Sequence, residues 1–165
     1  VPSLPKSVLA QHVIDALGPA LHSHGHVDDV PFRIEVDGLL PLAVYAFTVS
    51  DPPGGREPDE LKIQLIAPGH ERGERGSFDA PDDETYVILL GYSQDYNVFV
   101  LWDAYKHRDF AWSKNCQVRL APIKDAQISG VGYRDRTLGG GIPERIIVAR
   151  PDHLAKALGE RVRTL

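Results

Sequence analysis

The chain has no methionine, a single cysteine (Cys116) and only two tryptophans among its 165 residues. Without a Met at its head, it is expected to be processed or cut from a longer protein as one domain. A lone cysteine excludes an intrachain disulfide and a paired-thiolate metal site, which permits a reducing compartment. A cytoplasmic protein is therefore expected. No apolar run approaches the ~20 residues that a membrane-spanning helix needs, and the N-terminus has no secretory-signal pattern. An excess of positive charge is also lacking, with 18 Lys and Arg against 23 Asp and Glu. The formal net charge of −5 argues against a generic nucleic-acid coat. It leaves room for a local patch, because salt confines charge effects to about 10 Å. There is no G-x-S-x-G elbow and no P-loop. "LGGGIP" is no phosphate cradle, since no strand leads directly into it and no helix follows directly.

The residues that are present predict one domain with its own core. "LPKSVLAQHVIDALGPALH" reads as a helix with Val8, Leu9, Val13, Ile14 and Leu17 at helical spacing, broken at Gly18-Pro19. "HSHGHVDDV" reads as a polar loop. "PFRIEVDGLLPLAVYAFTVS" reads as two strands around the Asp37-Gly38 turn. "DPPGGREPD" is turn-rich, and "ELKIQLIA" alternates as a strand. "PGHERGERGSFDAPDDE" is a long loop of the kind that is functional or disordered in compact domains. "TYVILLGY" and "NVFVLWDA", joined by "SQDY", form the strongest hairpin signal. "CQVRLA" reads as a short strand, "IKDAQISG" as a short helix and "YRDRTLGGGIPE" as flexible. "RIIVAR" is a last strand, and Pro151 opens a closing helix. The class expected is α+β: a curved, mostly antiparallel β-sheet flanked by N- and C-terminal helices.

Four groups of residues could carry chemistry. His22, His24 and His26 recur with period two before Asp28 and Asp29, as a metal site on a strand would require; a solvated loop explains them more simply. "PDELK" offers Glu60 and Lys62 in the acid-x-lysine order of a metal-dependent nuclease, with Asp51 or Asp37 as the upstream acid. Asp59 is too close to Glu60 for that role, and the wet face of an amphipathic strand accounts for the pair. Cys116 with His107 suggests a thiol nucleophile, against which stands the inertness of an apolar-flanked cysteine.

The fourth group is a pair of loops, "HERGERGSFD" and "YKHRDFAWSKN". From Tyr105 to Arg119 four cations face one acid, a local net of +3 in an acidic chain. His70, Arg72, Gly73, Arg75, Gly76 and Ser77 supply phosphate-contact groups, and Asp79 can accept from a cytosine amino group. Lys106, Ser113, Lys114 and Asn115 add further DNA-binding groups. Two solvated loops would explain the charges. They explain less well why Phe110, Ala111 and Trp112 sit inside the charged run, so DNA contact is the favoured reading.

"YVILLGYSQDYNVFVLWDAYKHRDFAWSKNCQV", with "RIIVARPDHLAKAL" downstream, resembles the sulfur-binding domains of McrA-type restriction endonucleases, over roughly Lys62 to Leu158. The resemblance implies a module that reads phosphorothioate-modified double-stranded DNA for a fused HNH nuclease. It implies no catalytic residue, metal or cofactor in this domain. It also implies an apolar pocket beside cations, at His107, Arg108 and Ala111 with Phe110 and Trp112 in support. Where another member has a Tyr-Pro wall, this chain has His107-Arg108. Sulfur is weakly hydrated, so a pocket of CH groups accepts it, while an oxygen placed there loses water without a replacement bond. A methylated-base reader is the alternative, with an aromatic cage drawn from Phe78, Trp112 and Tyr133; a PD-(D/E)xK nuclease is another.

Overall fold

The computed structural model describes residues 3–50, 60–66, 75–76, 78–107, 110–111 and 113–163. The N-terminal periodicity becomes α1 (Lys6–Leu17), which buries Leu9, Ala10, Val13 and Leu17. Gly18 ends it at φ 51°, a conformation open to glycine at no steric cost. β1 (Leu21–His24), β2 (Phe32–Val36) and β3 (Leu42–Thr48) follow. The strand at 21–24 corrects the polar-loop expectation: its exposed histidines gave no apolar alternation, but its backbone pairs antiparallel with β2.

Next come β4 (Glu60–Ile66), β5 (Arg75–Gly76), β6 (Tyr86–Ser93) and β7 (Val98–Trp102). A 3-10 turn at Ala104–Lys106 leads to β8 (Phe110–Ala111), β9 (Ser113–Arg119) and α2 (Leu120–Ser129). β10 (Val131–Leu138) and β11 (Ile142–Ala149) form a hairpin turning at Gly140 and Gly141, both at positive φ. The expectation of a flexible 133–144 segment is therefore corrected. A 3-10 turn opened by Pro151 runs into α3 (Leu154–Arg163).

Seven strands form one sheet in the order β1-β2-β3-β6-β7-β11-β10. Only β3 and β6 pair in parallel, so the sheet is mixed and mostly antiparallel, and the fold is α+β as the sequence implies. β6 and β7 are buried throughout, which is why their sequences are continuous apolar runs rather than alternations.

The two faces are covered differently. α1 and α3 pack on one, where Leu9, Val13, Leu42, Ile88, Leu101, Ile147 and Leu158 share a core. The antiparallel ribbon β4–β9 and α2 cover the other, where Leu61, Ile63, Cys116, Val118 and Ile123 meet Leu89, Val100, Trp102 and Ile146. Trp102 ties the layers together by donating its indole N–H to the Gln117 carbonyl at 3.0 Å. α2 lies directly on Gly132, where a Cβ would stand 2.1 Å from the Pro122 carbonyl oxygen. No helix among the described residues is long and apolar enough to cross a membrane.

Candidate nucleic-acid interface

The two cation-rich loops meet. Arg75 pairs with Ala111 and Gly76 with Phe110 in an antiparallel two-residue ladder. Ser113, Lys114 and Asn115, expected to lie in the loop, instead begin β9 opposite Ile66, Leu65 and Gln64. Thus one short edge gathers β5, β8 and the start of β9, drawn from segments more than 30 residues apart.

The start of the second loop is anchored from within. Asp103 is buried, and its carboxylate accepts from the Tyr105 N–H at 3.0 Å, opening the 3-10 turn. The Tyr105 hydroxyl accepts from the Val87 N–H at 3.1 Å. His107, expected on the pocket wall, is only 1% exposed. Its Nε2 donates to Glu144 Oε2 at 2.7 Å, and its Nδ1 lies 3.5 Å from Cys116 Sγ. This corrects the position of the imidazole: it lies beneath the segment, facing a carboxylate, and does not form the outer wall. The other member of the expected wall pair, Arg108, lies outside the described residues.

Glu144 is the hub. Oε2 also accepts from the Asp103 N–H at 3.0 Å, and Oε1 accepts from Arg136 Nε at 2.9 Å with Nη2 at 2.7 Å. Burial pushes this carboxyl up, but the hydrogen bond and charge of His107, the Arg136 guanidinium and the Asp103 N–H outweigh it. The net result holds Glu144 below its ordinary value. A buried carboxylate with several donors is satisfied, whereas one stripped of them is costly. Sequence reasoning missed Glu144 and Asp103, and took Arg136 only as part of an alternative pocket with Arg134. The Asp and His of "WDAYKH" were visible, but nothing local points 37 residues ahead to Glu144.

The remaining expected residues divide three ways. Lys106 is half-buried, and Asp79 is exposed with its carbonyl accepting from the Tyr45 hydroxyl at 2.9 Å. Arg75, Gly76, Phe110, Ala111, Ser113, Lys114 and Asn115 take part in the strand pairing. His70, Arg72, Gly73, Ser77, Arg108 and Trp112 lie outside the described residues.

The rival chemistries find little geometry. Glu60 is buried and sits 3.7 Å from Arg119 across the ribbon; Asp37 stands 3.9 Å from His22, while Asp51 and Asp59 lie outside the described residues. His24 bonds the Gly25 carbonyl and His26 faces Asp28, so the three histidines turn to separate partners. Among the described residues no group of three or more His, Cys, Asp or Glu is placed to hold a metal ion. Cys116 is 1% exposed, which shields its thiol despite the nearby imidazole. Phe78 is 2% exposed and packs its ring on Tyr45 and Phe47, whereas Tyr133 lies exposed on β10. These two rings do not make an aromatic cage.

Fold and site together define an α+β domain in which two segments rich in cations pair at a short edge, with a buried polar cluster at the turn that precedes it. A family model described as Methylase-associated X1 matches residues 41–158, well over half of the chain. The chain belongs to this family of domains associated with DNA methylases. No curated protein and no solved structure matches it.

Proposed function

We propose that the domain is a DNA-reading module of a modification or restriction system. It contacts duplex DNA through the β5–β8 edge, has no catalytic residues of its own and distinguishes a phosphorothioate from an ordinary phosphate. The observation that carries this reading is the pairing of Arg75 with Ala111 and Gly76 with Phe110. It sets two cationic segments side by side, with backbone free of bulk at glycine. Membership in a methylase-associated family supports the setting in which such a module works. The sequence of the second segment supports the mark: the apolar residues Phe110, Ala111 and Trp112 run between Arg108 and Lys114. A poorly hydrated anionic sulfur suits that mixture, and an oxygen there is penalised by lost hydration. A low nonspecific electrostatic attraction, expected of an acidic protein, helps it ignore unmarked DNA.

The test is fluorescence anisotropy on one duplex in three forms: unmodified, base-methylated and phosphorothioate-substituted. Tightest binding to the phosphorothioate form, with the other two alike, is the expected result. Preference for the methylated duplex would move the reading to a methylated base. Equal affinity for all three would remove mark recognition, and no binding to any would remove the DNA reading itself. Strand scission with magnesium or manganese, abolished in Lys62→Ala, would contradict the absence of catalysis.

A further inference from the structure

On β10, Gly132, Arg134 and Arg136 share one face by strand alternation. α2 covers that face at Gly132. Farther along it, beside β9, lies a depression of about 140 Å³ lined by Gln117, Val118, Arg119, Arg134, Arg136 and Ile146. Two of its three arginines have acidic neighbours: Arg119 has Glu60 at 3.7 Å and Arg136 has Glu144 at 2.7 Å. Arg134 differs. Among the described residues it makes no hydrogen bond or ion pair, although it is only half-exposed. The opposite face of β10 shows the contrast, because Asp135 there is held by Arg145 at 2.7 and 3.0 Å. Ile146, fully buried opposite Arg134 in the β10–β11 register, lies among the lining residues.

Three guanidiniums and no carboxylate line the depression. Arg119 and Arg136 are oriented by their acids, and Arg134 alone has its donors uncommitted. Planar guanidiniums suit the paired oxygens of a phosphate. The same Glu144 that fixes Arg136 also holds His107, so this depression and the turn that precedes the DNA edge share one anchor.

We propose that Arg119, Arg134 and Arg136 form a second contact, a site for a phosphate group of the DNA backbone at the far end of β9 from the edge that reads the mark. The site rests on the DNA reading above and deepens it: it supplies register and affinity but no discrimination, since every nucleotide carries the group it binds. Arg134 supplies the contact, while Arg136 and Arg119 shape the depression around it.

The experiment uses the whole chain and compares wild type with Arg134→Ala and Arg134→Lys, variants that break no bond within the described fold. Anisotropy is measured across a salt series on phosphorothioate and unmodified duplexes, alongside binding of inorganic phosphate by titration calorimetry. Arg134→Ala is expected to weaken both duplexes about tenfold and to lower the log–log salt slope by about 0.9, leaving the ratio between duplexes unchanged. Arg134→Lys is expected to keep the slope and lose part of the affinity, because an ammonium retains the charge without the fork. Wild type should bind phosphate, and Arg134→Ala should not. Unchanged affinity and slope in Arg134→Ala would overturn the site, as would a changed ratio, which would make Arg134 part of mark recognition. Phosphate binding lost in Arg134→Ala, in a protein that binds no duplex, would keep the oxyanion site and overturn the DNA reading instead.

Discussion

The two faces of the large sheet bury similar aliphatic side chains but are used for different ends. Under α1 and α3 the core around Leu42, Ile88, Leu101 and Leu158 is aliphatic and encloses one buried guanidinium, Arg161 of α3, which donates to the Arg145 carbonyl and lies 3.9 Å from Asp103. Under the β4–β9 ribbon the hydrocarbon continues, yet its margin holds Glu144 with His107, Arg136 and the Asp103 N–H. An apolar core tolerates rearrangement so long as volume is kept. A buried carboxylate with directed partners does not, because every lost partner leaves an unsatisfied group. The contrast teaches where directed partners are most concentrated: around Glu144, with Arg161 of α3 reaching the same Asp103 from the other side. Position is held beneath the segment that begins "YKHRD", at its junction with the paired edge.

The sharpest way to break the contrast is Glu144→Ala. It leaves His107 and Arg136 facing a void, and removing one member of a buried ionic group costs roughly 3–5 kcal/mol. A large drop in thermal midpoint is expected, together with weaker DNA binding by whatever fraction remains folded. Leu158→Ala on the helical face should lose about 2–5 kcal/mol while leaving the affinity of the folded fraction as it was. Chemical denaturation and anisotropy on the same samples measure both quantities. If the two variants lose DNA binding equally at matched folded fraction, the division between the faces fails.

A smaller effect concerns the one ammonium lodged at the helical face. Lys6 donates to the Ala46 carbonyl and lies 4.0 Å above the Phe47 ring, and burial lowers its pKa from 10.5 to about 8. The unfolded chain therefore binds more protons than the folded one between those values. Stability should rise as pH climbs from about 8 toward 10.5, with no contribution to slope from Lys6 below that window. Lys6→Met should flatten that rise in unfolding free energy measured from pH 7 to 10.5. An unaltered slope would show that Lys6 keeps an ordinary pKa.

Much of the frame was legible in the residues. The β6–β7 hairpin announced itself because both strands are buried on both faces, which leaves unbroken apolar runs. α1 showed its 3.6-residue stripe and its glycine stop. β10 was not legible, because its inner face carries Arg134 and Arg136 where alternation would expect aliphatic residues. It read as flexible for the same reason that it forms a cationic depression. β1 was hidden by exposed histidines at a sheet edge. For the site, the two loops could be identified separately. Their pairing spans only two residues each and leaves no periodic mark. The burial of His107 depends on a carboxylate distant in sequence, so a histidine beside Lys106 and Arg108 looked exposed. Glu144 and Asp103 were unreadable for that reason, while around Arg75, Phe110 and Ala111 charge and apolarity mix locally and the structure adds only their strand pairing.

The central claim is that DNA meets the β5–β8 edge and leaves the helical face alone. Hydrogen–deuterium exchange of the full chain, with and without a saturating phosphorothioate duplex, measures this directly. The account predicts slowed exchange at residues 75–76 and 110–115 with α1 and α3 unchanged. Protection confined to α1 and α3, with the edge exchanging as in the free protein, would contradict it.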